Sequence, residues 1–177
     1  PDALPTFKKP NVVIVMLAYW LNEVTSGGEV YDKERFKNNA LYAKHFANTN
    51  IITNIIDHKD SNEGNLLTST DEDNPRVFTV DNGVTFSSPE SNRGAIWKYI
   101  RVKKLPKKTI ERLMDITIDD LTDQLGVVAQ FELSDNNVAS VKPTNNLNPR
   151  KGVRRSENII QFGLTKYEIR AVKKKID

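Results

Sequence analysis

The sequence has no cysteine and only two histidines, His45 and His58, among its 177 residues. Without cysteine the chain forms no disulfide bond and offers no thiolate to a metal. Two histidines are too few for the usual histidine-based zinc sites. Disulfide scaffolds and zinc enzymes are therefore not expected.

Long hydrophobic runs are also lacking. The longest apolar stretch, Asn11–Val24 (NVVIVMLAYWLNEV), is shorter than the roughly 20 residues that a membrane span needs, and it is polar at its end. It follows Lys8 and Lys9 as in a signal peptide, but no small-residue cleavage site comes after it. We therefore expect a buried helix here and no membrane span. The lack of cysteine favours a cytoplasmic protein, while secreted and periplasmic locations stay open.

Charge is distributed unevenly behind a formal net value of +3. Residues 142–177 contain ten Lys or Arg against three Asp or Glu, whereas residues 57–73 contain six acids and one lysine. A basic segment attracts nucleic acid, anionic lipid or acidic peptide, but solvated helix faces have the same composition. Charge alone therefore selects no partner.

The sequence pattern predicts a single α+β domain that is mainly helical. Helices are expected over residues 11–24 and 32–56, and then over the segments LPKKTIERLMDI, TIDDLTDQLG and LTKYEIRAVKKKID. Pro106 suits the first turn of the third helix, and Gly126 should end the fourth. Thr165 and Glu168 have capping-box spacing at the start of the last helix.

One short antiparallel ribbon is predicted between these helices. The segments NLL and VFTV, on either side of the Asn74–Pro75 turn, are expected to pair as its two strands. Residues 82–105 and 134–158 are rich in polar residues, Pro and Gly, and are predicted to be irregular.

Two acid-rich turns border the predicted ribbon. The stretch IIDHKDSNEGNLL contains His58, Asp60 and, five residues later, Asn65, and the strand RVFTV is followed directly by Asp81 and then, two positions on, by Gly83. The order is an apolar helix, H-x-D-x-x-x-x-N, a hairpin and D-x-G. Phosphoryl transfer requires this order of functional groups in the large lobe of a kinase.

Charge placement explains why these residue types suit that reaction. An aspartate in the first turn accepts the proton of the attacking hydroxyl, and an asparagine five residues later supplies a neutral oxygen to a divalent metal. The aspartate after the second strand supplies an anionic oxygen to the same metal. The hairpin brings these turns together, and glycine lets the chain bend away from the site.

A structural interpretation of the same residues stays open. Asp57 and Asp60 can be solvated loop acids, and Asn65 a turn former. Asp81–Asn82–Gly83 can be a plain hairpin turn, because Asn-Gly is a strong hairpin signal.

The segments DHKDSNEGNLL and VFTVDNGVTF resemble the catalytic and metal-binding segments of atypical protein-kinase-like enzymes. The groups most similar in style are the secreted Golgi casein kinase family with its bacterial relatives, the phosphatidylinositol 3-/4-kinases and the HipA-like toxin kinases. The resemblance covers roughly Val12–Leu113 and is sharp only over Ile55–Phe86. The second motif departs from the common D-F-G of kinases, which puts regulation by a flipping aromatic in doubt but not metal binding.

The resemblance implies a role for individual residues. Asp60 becomes the catalytic aspartate, and Asn65 and Asp81 become ligands of Mg²⁺ or Mn²⁺, with ATP as the phosphoryl donor. The resemblance also implies supporting roles: orientation of the loop by His58 and Gly83, and phosphate or substrate contacts by Lys59 and Asn62. For Asn62 a simple turn role is the stronger interpretation.

The nucleotide-clamping half of a kinase is not found in the sequence. No G-x-G-x-x-G motif occurs, and SGG at 26–28 predicts only a turn. We therefore expect the large lobe of a longer protein, with the small lobe or a partner segment supplied elsewhere. Its parts would be a hinge over 1–10, helices over 11–56, the catalytic loop and metal-binding turn over 57–86, an activation-like segment over 87–105, and C-terminal helices over 106–177.

Three functions follow in order of preference. The first is an ATP-dependent phosphotransferase that acts on a hydroxyl of a protein or small molecule, although this chain alone should be incomplete and inactive. The second is a non-catalytic pseudokinase module that binds partners. The third is a basic helical domain that binds nucleic acid, which is not expected because only Phe162 and Tyr167 lie among the basic residues of the tail.

Overall fold

The computed structural model describes residues 20–26, 31–58, 60, 62–82, 85–86, 102–135 and 137–177. Within these residues the chain is α+β, with five α-helices and two antiparallel sheets. Its contacts divide it into two units, each described by itself. The N-terminal unit comprises the described residues within 20–115 together with 175–177, and the C-terminal unit comprises those within 116–174.

The N-terminal unit places three helices around a three-stranded sheet. Its elements are β1 (Val24–Ser26), α1 (Lys33–Asn38), α2 (Ala40–Ile55), a 3-10 helix (Glu63–Asn65), β2 (Leu66–Ser69), β3 (Val77–Thr79) and α3 (Lys107–Met114). The strand order is β1-β2-β3, with Leu67 opposite Phe78 in the antiparallel β2–β3 pair.

Helix α2 organises the core of this unit. Asn39 begins the helix because its side-chain oxygen accepts a hydrogen bond from the backbone N–H of Tyr42, at 2.9 Å. Tyr42 and Phe46 are fully buried against Leu66 of β2. Burial of one such side chain contributes about 1.5–3 kcal/mol. The core therefore fixes α2 against the strand that follows the 3-10 helix.

The C-terminal unit contains a four-stranded sheet and two helices. Its elements are α4 (Ile118–Leu125), β4 (Ala129–Ser134), β5 (Asn137–Val141), β6 (Val153–Arg155), β7 (Ile159–Phe162) and α5 (Lys166–Ile176), whose last two residues are grouped with the N-terminal unit. The strand order is β5-β4-β7-β6, antiparallel throughout. Leu133 and Ile160 form its hydrophobic cluster, and Phe131 and Phe162 pack edge to face beside them.

A buried arginine links the parts of the C-terminal unit. Arg154 of β6 is 2 % exposed, and its guanidinium donates to three main-chain carbonyls. The acceptors are the oxygens of Asn148 at 2.8 Å, Gly126 at 2.7 Å and Leu164 at 3.0 Å. The side chain therefore connects the end of α4, the loop before β6 and the segment before α5.

Two buried glutamines, Gln130 and Gln161, form hydrogen bonds with the loop before β6. Gln161 donates to Gln130 at 2.8 Å and to the carbonyl of Asn145 at 3.0 Å. In return the backbone N–H of Leu147 donates to the Gln161 side-chain oxygen, and Thr144 donates to Gln130. The loop is thus held by side-chain hydrogen bonds rather than by apolar packing.

Several predicted elements are confirmed. The helical stretch 32–56 forms α1 and α2 with a break at Asn39, and the ribbon of NLL and VFTV forms β2 and β3. Helices α3, α4 and α5 lie where they were expected. Gly126 follows α4 as its C-cap, and Glu168 accepts hydrogen bonds from both the N–H and the hydroxyl of Thr165.

The end of one predicted helix and one predicted loop are wrong. Residues 11–19 of the helix expected over 11–24 lie outside the described residues, so that part stays a prediction. Residues 20–22 are irregular, and Val24 begins β1. Its β-branched residues Val24 and Thr25 pair with Ser69 and Thr68 instead. The loop expected over 134–158 contains β5 and β6, so the chain has two sheets rather than one short ribbon.

Among the described residues no helix is long and apolar enough to cross a membrane.

Candidate active site

The first candidate turn is set up by the way α2 ends. The backbone N–H of Asp57 donates to the carbonyl of Asn54 at 3.2 Å, and that of His58 donates to Thr53 at 2.9 Å. Asp57 itself has a φ of 54°, in the left-handed region. These are the two hydrogen bonds and the backbone reversal of a Schellman motif, in which glycine is the usual residue at the position of Asp57. The reversal directs the chain back into the unit.

His58 and Asp60 are buried as a result. His58 is 4 % exposed and Asp60 is 6 % exposed. The interpretation of Asp60 as a solvated loop acid is therefore wrong. Burying a carboxylate costs free energy unless it is hydrogen-bonded, paired with a cation or bound to a metal.

Within the described residues, one side-chain oxygen of Asp60 lacks a hydrogen bond. Its Oδ1 is buried and has no hydrogen-bond partner among the described residues. Leaving such an acceptor unsatisfied costs about 1–3 kcal/mol. A buried polar atom without a partner calls for an explanation. One explanation is that the oxygen binds a ligand or a reacting group.

Asn65 is tied directly to this turn. Its side-chain Nδ2 donates to the main-chain carbonyl of Asp60 at 3.4 Å. Its backbone N–H donates to the carbonyl of Asn62 at 2.8 Å, and the side chain of Asn62 accepts from the N–H of Gly64 at 3.0 Å. Asn62 therefore shapes the turn, as its simpler interpretation predicts. Asn65 uses its amide nitrogen internally, which leaves its amide oxygen for a ligand.

The sheet brings the second turn to the first. Leu66 pairs with Thr79, and one step further the N–H of Val80 donates to the carbonyl of Asn65 at 2.9 Å. Asp81 follows at once, with a φ of 52°. Because Val80 is bonded to Asn65, Asp81 leaves the ribbon beside the end of the first turn.

The chain beyond Asp81 returns to the other end of that turn. The N–H of Phe86 donates to the carbonyl of Ile56 at 2.6 Å. Main-chain hydrogen bonds therefore hold the chain on both sides of Asp81 to both ends of the loop 57–65. The left-handed backbone at Asp57 and Asp81 also occurs at Glu23, Phe86 and Asp135, and aspartate adopts it more readily than most residues, so it does not by itself mark a functional site.

The two residues predicted to bind a metal, Asn65 and Asp81, offer one amide oxygen and one carboxylate. Asn65 is half-buried and Asp81 is exposed, and no hydrogen bond joins the Asp81 and Asp60 side chains in the described residues. No three His, Asp or Glu side chains within the described ranges are grouped to hold a metal by themselves. Mg²⁺ is commonly bound through one or two carboxylates together with waters and substrate phosphates, so one amide and one carboxylate oxygen are compatible with it.

Other predicted site residues lie outside the described part of the chain. These are Lys59 and Gly83, together with most of the activation-like segment 87–105. The roles of Lys59 and Gly83 stay predictions.

One residue at this site carries no signal in the sequence. Lys175 donates to the carbonyl of Asn54 at 3.0 Å and pairs with the Asp57 carboxylate at 2.9 Å. A cation at the carboxyl end of a helix is favourable for the helix dipole. Lys175 lies in a run of three lysines, and nothing in that run distinguishes it from its neighbours.

Comparison of the chain with protein-family models, with curated proteins and with solved structures found no match.

Proposed function

We propose that the N-terminal unit carries the catalytic turns of a metal-dependent phosphotransferase, which moves the γ-phosphoryl group of ATP to a hydroxyl of a protein or small molecule. The observation that supports this most is the buried, unsatisfied Oδ1 of Asp60. It lies in a turn whose two ends are hydrogen-bonded to the chain around Asp81.

Asp60 acts on the nucleophile in this proposal. An oxygen that has no hydrogen-bond partner among the described residues is available to accept a hydrogen bond from the substrate hydroxyl. Its burial excludes competing water, and this strengthens the interaction with the hydroxyl proton. The cost of leaving the oxygen unsatisfied in the free protein is recovered when the hydroxyl binds.

Asn65 and Asp81 provide the oxygens for the cation. The amide nitrogen of Asn65 is held by the Asp60 carbonyl, so the amide orientation is fixed and its oxygen faces away from that bond. When bound, Mg²⁺ or Mn²⁺ neutralises charge on the nucleotide phosphates. His58, two positions before Asp60 and also buried, acts as an orienting residue.

A set of three matched variants tests the proposal. Asp81→Asn and Asp60→Asn remove the two carboxylates, and Asp73→Asn removes an exposed acid of the β2–β3 loop as the control. Mn²⁺ binding in the presence of ATP is followed by electron paramagnetic resonance on the chain. We expect Asp81→Asn to weaken Mn²⁺ binding at least tenfold, while Asp73→Asn leaves it unchanged.

An assay of phosphate transfer separates the role of Asp60 from that of Asp81. It is measured with γ-labelled ATP in a protein that also contains the nucleotide-clamping lobe. Asp60→Asn should lower the rate by about 10²–10⁴-fold, the usual contribution of a general base, and keep Mn²⁺ binding within twofold. Full activity in Asp60→Asn, or equal Mn²⁺ binding in Asp81→Asn and wild type, would contradict the proposal.

A further inference from the structure

A cavity of about 550 Å³ lies between helices α2 and α3 of the N-terminal unit. Its lining consists of Lys44, Pro106, Lys107, Lys108, Thr109 and Arg112. The cavity is open to solvent, and four of these six residues are cations whose side chains are exposed. None belongs to the turns that carry Asp60, Asn65 and Asp81.

The walls of this cavity are held together by the fold. The hydroxyl of Thr109 donates to the side-chain oxygen of Asn48 at 3.0 Å, which joins α3 to α2. The N–H of Val102, shortly before α3, donates to the side chain of Asn50 at 3.1 Å. The cations of α3 are thus positioned opposite Lys44 by contacts that do not involve the cations themselves.

The positive charges in the cavity are largely unneutralised. Lys107 lies 3.4 Å from Glu111, but both side chains are exposed, and such a pair contributes little. No described carboxylate lies within 4 Å of Lys44, Lys108 or Arg112. Cations that converge on a concave surface raise the local positive potential and concentrate anions there.

The beginning of α3 adds to this imbalance. Pro106 offers no side-chain cap, and the first turn contains Lys107 and Lys108 but no acid. Cations at a helix N-terminus oppose the helix dipole. Helix α4 shows the opposite arrangement, with a Thr117 capping box and acids in its first turn. The charges of Lys107 and Lys108 at the start of α3 are therefore unfavourable for the helix itself.

We propose that this cavity binds a phosphate group, either as the free ion or on a peptide side chain. A phosphate dianion compensates both the four cations and the positive end of α3. Among the described residues that line it there is no aromatic side chain, so this part of the lining lacks the stacking surface that single-stranded nucleic acids use. This inference is independent of the phosphotransferase proposal, because the two sites share no residue.

Binding is measured by nuclear magnetic resonance on the complete chain. The ligands are inorganic phosphate, a phosphoserine peptide, its unphosphorylated form and a single-stranded oligonucleotide. We expect the first two to shift the backbone amide signals of Lys108 and Thr109, and the unphosphorylated peptide to leave them unchanged. Tighter binding of the phosphopeptide identifies the peptide as the source of the phosphate, and equal binding identifies the free ion.

Charge-matched double variants provide the control. Lys44→Gln with Lys108→Gln removes two cations of the cavity, and Lys103→Gln with Lys104→Gln removes two exposed cations that do not line it. The first pair should weaken phosphate binding at least tenfold, and the second by less than twofold. The first pair should also keep or raise the melting temperature, since it removes a cation from the start of α3.

Three results would overturn the inference. They are equal losses of affinity in the two double variants, no shift of the Lys108 and Thr109 amides with either phosphate ligand, and tighter binding of the oligonucleotide than of the phosphopeptide.

Discussion

Arg154 in the C-terminal unit and Asp60 in the N-terminal unit are both buried and both ionisable, but their surroundings differ. Arg154 donates to three main-chain carbonyls, and the neighbouring glutamines complete the hydrogen bonds of the adjoining loop. Burial lowers the pKa of Arg154, and each of its three guanidinium nitrogens donates to one carbonyl. Asp60, in contrast, keeps one buried oxygen without a partner in the described part of the chain.

If the proposed function is correct, the difference separates a structural role of a buried polar group, at Arg154, from a functional role, at Asp60. A satisfied polar group holds the protein together, and removing it leaves other groups unpaired. An unsatisfied group lowers stability, so its retention points to a role in binding or catalysis. The two groups should therefore respond in opposite directions to neutral replacement.

The largest expected effect is on the arginine. Arg154→Met removes the donors of three buried carbonyls and should lower the free energy of unfolding by about 3–5 kcal/mol. Urea denaturation followed by circular dichroism measures this change. Arg155→Met, on the exposed side of the same strand, is the control and should stay within about 0.5 kcal/mol of wild type. Equal effects of the two replacements would contradict the structural role of Arg154.

The next effect has the opposite sign. Asp60→Asn replaces a buried carboxylate by a neutral amide, which costs less to bury, and should raise the free energy of unfolding by about 1 kcal/mol. The same urea experiment measures it, with Asp73→Asn as the exposed control. A loss of stability in Asp60→Asn would show that the carboxylate has a structural partner, and the comparison with Arg154 would then fail.

The smallest effect concerns a histidine of the N-terminal unit. Burial, and then the positive charges of Lys44 and Arg76, lower the pKa of His45 from its ordinary value of 6.5. The unfolded chain therefore binds this proton more tightly than the folded chain, and stability should fall as pH decreases through 6.5. The dependence should level off below the lowered pKa.

Comparing wild type with His45→Gln checks this expectation. The variant should have a flatter stability curve across that pH range, measured by urea denaturation at several pH values. Arg76→Gln should reduce the slope only in part, because burial is the larger cause. Identical curves for wild type and His45→Gln would show that a group other than His45 determines the loss of stability at acid pH.

Local signals explain which elements could be predicted. The apolar spacing of α2, Gly126 after α4, and Thr165 with Glu168 at α5 each act within a few residues, and each is confirmed. Strands β5 and β6 gave no such signal. The residues of β5 are mostly exposed, and β6 carries its buried position on an arginine, so neither shows alternating hydrophobicity.

The candidate site was predictable in its order but not in its geometry. The spacing of His58, Asp60, Asn65 and Asp81 identified the two turns, and the ribbon that brings them together is confirmed. The Schellman reversal at Asp57 could not be read from the sequence, because aspartate is not the usual residue there. A kinase-like lobe and its chemistry stay predictions.

The contacts of Lys175 have a practical consequence for work on this chain. Its ammonium group joins the carboxyl end of α2 across 121 positions of sequence. Cutting the chain before Lys175, or acetylating this residue, therefore perturbs the backbone three to six residues upstream of Asp60. Tags and deletions at that end of the polypeptide therefore affect the turn that contains Asp60, although the two segments are far apart in the sequence.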